Sequence, residues 1–149
     1  SYVTNMSSMF AYAGQSAQVW NIGDLNEWNT SRVTDMSRMF IGVGNNNTTF
    51  NLNLSGWDTS QVTNMGYMFQ NTGRNATTFN LNLSGWNTSS VTDMSSMFQW
   101  TGEKATTFSI IIPRTNGNGI NNDTTHMYGK TTSTYDGPPR SRTFTLAAN

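Results

Sequence analysis

The phrase VTNMSSMF at residues 3–10 returns as VTDMSRMF from Val33, VTNMGYMF from Val62 and VTDMSSMF from Val91. The three later copies stand 29 residues apart, and so do Trp28, Trp57 and Trp86, Phe50, Phe79 and Phe108, and Gly44, Gly73 and Gly102. The first interval, Val3 to Val33, is 30. A unit this short cannot bury its own apolar stripe. Repetition at a fixed period solves the problem, because each apolar position then lies over its copy in the next unit.

Two periodicities alternate inside the unit. TTFNLNLS places Phe79, Leu81 and Leu83 at every second residue, the mark of a strand with one buried face. VTNMGYMF places Val62, Met65, Met68 and Phe69 at helical offsets, which predicts one or two turns of α- or 3₁₀-helix with Thr63 as N-cap. The polar runs QNTGRNATT, containing Gly73, and SGWDTS read as turns. The expected fold is a repeat solenoid, with a parallel β-sheet on one side and short α/3₁₀ helices on the other. It spans residues 1–128 in four to five coils. An irregular cap, 129–149, follows and ends in a last strand at Phe144 and Leu146. In-register Asn, Thr and Ser can hydrogen-bond to their own copies above and below, as stacked Asn does in parallel sheets.

The strand-to-turn run LNLSGWDTSQVTNMGYMF resembles a leucine-rich repeat, with Leu52 and Leu54 on the strand and Trp57 at the corner where that family usually has Asn. More closely, the pattern F…LSGWDTSxVTNMxxMF resembles the roughly 26-residue surface-protein repeat of BspA-like and mycoplasma or listerial lipoprotein families. The resemblance covers about residues 1–128 and departs from the family pattern by about three extra residues before each strand Phe. It implies a leucine-rich-repeat-like solenoid, secreted or surface-displayed, often linked to adhesion. It brings no catalytic residue to transfer.

Composition excludes several function classes. Eight Lys and Arg are scattered among eight Asp and Glu with no basic run, so the clustered cations that phosphate neutralisation needs are missing and nucleic acid is not an expected partner. The longest aliphatic run, Ile110–Ile112, is far short of the roughly 20 residues of a spanning helix, so no membrane insertion is expected. Absence of Cys removes disulfides, thiolate metal sites and cysteine catalysis. Asn, Thr and Ser make up 59 of 149 residues, yet eighteen aromatics, zero net charge and regular repetition argue against disorder.

Candidate chemistry is sparse. His126, the one His, has Asp123 and Asp136 within sequence reach, but acid–base work needs a matched pair in a shaped pocket. The recurrent acids interchange with Asn: Asp35, Asn64 and Asp93 form one column, Asn29, Asp58 and Asn87 another. That interchange points to turn bonding, where either residue serves. NGNGINND, residues 116–123, resembles an oxygen-rich calcium loop but offers one carboxylate, Asp123, where Ca²⁺ takes several. No enzyme, metal or cofactor is expected. The Trp and Met columns read as core.

Two surfaces remain as binding candidates. The outward sheet face carries Asn51, Asn53, Asn80 and Asn82, rows of amides that suit glycan hydroxyls or that only stabilise the stack. The positions that differ between copies include Arg38, Tyr67, Gln70, Gln99 and Trp100. Unlike residues on a repeated frame are what specific recognition requires, and also what drift on a solvated face produces. The leading expectation is a non-enzymatic recognition or adhesion module that binds a glycan or protein receptor, extracellular and displayed on a cell surface or virion fibre. The alternative is a structural subunit of a filament, or part of a larger chain or homo-oligomer, docking through the first unit, which lacks a preceding strand. A third is an ice- or crystal-binding Thr array. Its Thr48/Thr49, Thr77/Thr78 and Thr106/Thr107 pairs point alternately to opposite faces and make no flat surface.

Overall fold

The computed structural model describes residues 2–113 and 145–146. Among the described residues, four strands make one sheet in the order β1-β2-β3-β4: β1 (Thr49–Asn53), β2 (Thr78–Asn82), β3 (Thr107–Ile112) and β4 (Thr145–Leu146). Every pairing is parallel, and the register is the repeat itself: Phe50 faces Phe79, Leu52 faces Leu81, and Phe79 faces Phe108. The molecule is thus of a repeat-type, β-rich kind. Leu146 lies in β4. Phe144, His126, Asp123, Asp136, the 116–123 loop and the rest of the 129–149 cap lie outside the described residues.

The predicted helices do not form among the described residues; the stretch after each Val is a chain of linked turns. Its hydrogen bonds alternate. The Met39, Ile41 and Val43 amides donate three residues back to Met36, Arg38 and Phe40. The amides of Met36, Arg38, Phe40 and Gly42 instead donate to the next copy, at Asn64, Gly66, Met68 and Gln70. An α-helix would spend all these amides within one unit. The turns spend alternate ones along the stack, so the arc adds to the inter-copy ladder that the sheet begins. Backbone hydrogen bonding therefore ties copies together along the turns as well as along the sheet, which is what a thin unit with little internal core requires.

The core is a set of vertical files. Phe10, Phe40, Phe69 and Phe98 stack with centroids 5.4, 5.4 and 5.7 Å apart, and Trp20, Phe50, Phe79 and Phe108 at 6.3, 4.9 and 5.5 Å. These values lie near the strand separation of about 4.8 Å that a parallel ladder imposes, so one spacing serves backbone and rings alike. Val33 and Val62, Met39, Met68 and Met97, and Leu54 and Leu83 are fully buried in the same manner. Trp57 and Trp86 close the corner, each 1 % exposed. Their indole N–H groups donate to the carbonyls of Leu25 (2.7 Å) and Leu54 (2.9 Å) in the preceding copy. A buried indole needs such an acceptor.

Polar columns ladder in the same way. Asn80 donates to the Asn51 side chain (2.7 Å), and the Thr72 and Thr101 hydroxyls donate to the Phe40 and Phe69 carbonyls (2.6 and 2.7 Å). Thr63 is not a cap: its hydroxyl donates to the Thr34 carbonyl at 3.2 Å. The turn bond comes from the next residue, as Asn64 Oδ1 accepts from the Gly66 amide (3.0 Å).

Candidate binding surface

The linked turns demand left-handed residues at fixed places. A turn closed from residue i+3 to residue i with positive φ at i+2 has the form of a type II turn, in which Gly or Asn is the ordinary occupant. Besides the column of Gly14, Gly44, Gly73 and Gly102, two columns adopt the left-handed backbone. One holds Ser8, Arg38, Tyr67 and Ser96, with φ of 58, 56, 58 and 51°. The other holds Tyr12, Gly42, Asn71 and Trp100, with φ of 62, 66, 59 and 57°. For a residue with a Cβ the left-handed region costs about 1–2 kcal/mol, and for a bulky side chain it is a true outlier. Three of the residues singled out by their variation between copies, Arg38, Tyr67 and Trp100, occupy these positions.

Their side chains pair across copies. The Arg38 guanidinium lies 5.0 Å from the Tyr67 ring centroid, and that of Arg74 lies 5.1 Å from the Trp100 ring. Arg74 also bridges to Glu103 (Nε–Oε2 2.5 Å), with the two side chains 37 and 32 % exposed. Each such contact is worth about 0.5–1 kcal/mol at partly exposed sites, which does not exceed the backbone cost of the left-handed residue beneath it. Tyr12, exposed, lies across Gly42, where a Cβ would come within 2.5 Å of its ring.

The remaining candidates separate from this group. Gln99 is buried, not on a solvated face, and is hydrogen-bonded to Gln70, which is half-buried. The two serve the stack. Asn53 and Asn82 accept from the amides of Ser55 (3.1 Å) and Ser84 (3.0 Å), closing the corner after each strand. Asn51 and Asn80 form the ladder already described, Asn51 exposed and Asn80 half-buried. Both amide rows thus have internal duties, with Asn51 and Asn53 exposed and Asn80 and Asn82 half-buried.

The acidic columns bond their own turns. Asp35 and Asp93 accept from Ser37 and Ser95 (2.8 Å each) as Asn64 does from Gly66, and Asn29, Asp58 and Asn87 accept from Ser31, Ser60 and Ser89. The hydroxyl and amide of Ser60 hold the Asp58 carboxyl below its ordinary value, against a small opposing effect of burial. No group of three or more His, Cys, Asp or Glu able to hold a metal ion occurs among the described residues. No helix there is long and apolar enough to cross a membrane.

Sequence reading missed Arg74, Glu103 and Tyr12. Arg74 and Glu103 were legible as opposite charges one repeat apart. Tyr12 was hidden because its counterpart is Gly42, which reveals a shared left-handed position only once the backbone is known.

A family model described as "Mycoplasma protein of unknown function, DUF285" matches residues 4–135. Neither the curated proteins nor the solved structures contain a match to the chain.

Proposed function

The chain belongs to the DUF285 family of Mycoplasma proteins of unknown function, and on that premise we propose that its copies form a solenoid that acts as a non-enzymatic recognition module. The module is displayed outside the cell, on a cell surface or a virion fibre, and binds a glycan or protein receptor. The observation that carries this reading is the occupancy of the two left-handed columns that are not glycine throughout. Gly fits such positions without strain and is found at Gly42, yet Trp100 stands at the position equivalent to it, and Arg38 and Tyr67 stand in the other column. Strain held in place by the surrounding frame is characteristic of ligand-binding positions. Tyr, Trp and Arg are also the side chains that most often dominate binding energy. Here they lie on a rigid ladder and differ from copy to copy, so they present a specific rather than a periodic surface.

Aromatic faces flanked by guanidinium and carboxylate groups suit a sugar ring, or a peptide with aromatic and charged side chains. The test is a glycan array and a surface-protein pull-down, run with the wild-type chain and with Tyr67→Gly and Trp100→Gly. Both substitutions relieve backbone strain, so folding is preserved. The account predicts a partner that wild type retains and both variants lose by at least tenfold in affinity. A partner held equally by all three proteins, or none at high protein concentration, contradicts it.

A further inference from the structure

Two lateral stations of the repeat are alike except for one charge. At the later station the Arg74 guanidinium lies 5.1 Å from the Trp100 ring centroid and is bridged by the Glu103 carboxylate. Ring, guanidinium and carboxylate are all supplied by the chain, and the cation is neutralised. At the earlier station the Arg38 guanidinium lies 5.0 Å from the Tyr67 ring centroid. Ring and guanidinium recur, but no carboxylate of the chain meets this Arg. Arg38 is exposed and has neither an ion pair nor a side-chain hydrogen bond among the described residues. Asp35, the acid nearest to it in sequence, accepts from the Ser37 amide at 2.8 Å.

The backbone fixes this open pair in place. Arg38 and Tyr67 share one left-handed column, with φ of 56 and 58°. Their amides donate along the stack to the Gly66 and Ser95 carbonyls. The same column holds Ser8 before Arg38 and Ser96 after Tyr67. In order, it presents a hydroxyl, a cation, an aromatic ring and a second hydroxyl on neighbouring copies.

We infer that, within the receptor-binding reading on which this rests, the Arg38–Tyr67 station takes the carboxylate of an acidic glycan, which does for Arg38 what Glu103 does for Arg74. A guanidinium keeps its charge throughout the physiological pH range and offers a planar fork of N–H donors that fits a carboxylate through two bonds. Stacking on Tyr67 uses the face of the guanidinium and leaves those edge donors for the ligand. The charges balance one to one. Phosphorylated partners are met by clusters of Arg, and no second cation stands in this column. The sugar that carries the carboxylate uses the rest of the file: its apolar face suits the Tyr67 ring, and its hydroxyls suit the flanking serines. A peptide carboxylate would meet Arg38 but would leave those hydroxyls idle.

Titration calorimetry tests this with hexuronate-ended and nonulosonate-ended oligosaccharides, each beside its neutral, carboxyl-reduced counterpart, and with a short peptide ending in a free carboxylate. The proteins are the wild-type chain, Arg38→Lys and Arg38→Gly. Gly relieves the left-handed strain, so lost binding in that variant is not lost folding. At least one acidic oligosaccharide is expected to bind wild type at least tenfold more tightly than its neutral counterpart and than the peptide. Arg38→Gly is expected to bind acidic and neutral forms alike, and Arg38→Lys to lose severalfold in affinity because it lacks the fork. Equal binding of acidic and neutral forms, a preference that survives in Arg38→Gly, or tighter binding of the peptide would overturn the assignment. A partner lost in Tyr67→Gly and Trp100→Gly but indifferent to Arg38→Gly would overturn it too, while leaving the receptor-binding reading standing; no binding of any probe or partner would end both.

Discussion

At the scale of single residues, Asn47 is the clearest fault in the repeat. It stands in the column of Ala17, Ala76 and Ala105, is 1 % exposed, and neither its Oδ1 nor its Nδ2 has a hydrogen-bond partner. A buried unpaired amide costs about 1–3 kcal/mol, while Ala76 and Ala105 show that the smaller side chain packs there without exposure. Asn47→Ala is therefore expected to stabilise the chain by about 1 kcal/mol, a rise in Tm of about 3 °C on thermal melting. Asp58 makes the opposite kind of case. Its carboxylate is favoured by Ser60, so its contribution is present above the ordinary value of 3.8 and fades as pH falls through the lower folded value. Asn29 and Asn87 make the same turn bond without a charge. Asp58→Asn is thus expected to leave stability at pH 7 within a few tenths of a kcal/mol and to flatten the loss below about pH 4, as read by urea denaturation at several pH values. At Tyr67 the ordinary order of residues inverts. The left-handed backbone favours Gly over Ala by about 1 kcal/mol, so Tyr67→Gly should melt higher than Tyr67→Ala.

At the scale of elements, the strands were legible and the turns were not. Alternation of Phe79, Leu81 and Leu83 has one reading, and all three are buried. The run Val62, Met65, Met68 and Phe69 has two, because turns that close every three residues bury the same offsets as a helix does. All four are indeed buried, so the core was correctly found while its backbone was misread. The deciding fact is the sign of φ at Tyr67 and Asn71, which a Tyr in the sequence gives no reason to expect. Gly14, Gly44, Gly73 and Gly102 were the available sign, since a glycine held at one position in four copies points to a left-handed bend. Gly73 shows how firmly the bend is built. Its φ is +52°, and a Cβ would lie 2.8 Å from the Phe79 ring in the stacked file. Gly73→Ala combines strain and clash. It is expected to destabilise by about 2 kcal/mol or more in denaturant unfolding, whereas Ala at the exposed Gly23, which has nothing within 4 Å, meets only the backbone term. Of the candidate site, Trp100 and Tyr67 were found by their variation, but their strain and their Arg partners needed coordinates.

At the scale of the whole molecule, every kind of contact uses one translation. Strand register, turn-to-turn amide bonds, ring stacks, indole bonds and the Asn and Thr ladders all join residues close to 29 apart. The first copy is spaced 30 from the second and ladders with it all the same, since the Asn5–Asp35 bridge is continuous with Asp35–Asn64 and Asn64–Asp93. The extra residue is absorbed in the irregular stretch before Trp28, where no strand forms. Absence of Cys makes the central claim directly measurable by engineered cross-links. Asn51 and Asn80 face each other across β1 and β2, while Asn82 is two residues further along. A disulfide needs Cα atoms about 4.4–6.8 Å apart, which in-register neighbours at about 4.8 Å satisfy and the diagonal pair at about 8 Å does not. Rapid, near-complete oxidation of Asn51→Cys/Asn80→Cys, with little in Asn51→Cys/Asn82→Cys, is the predicted result. The reverse preference, or cross-linking of neither pair in the folded protein, would contradict the account.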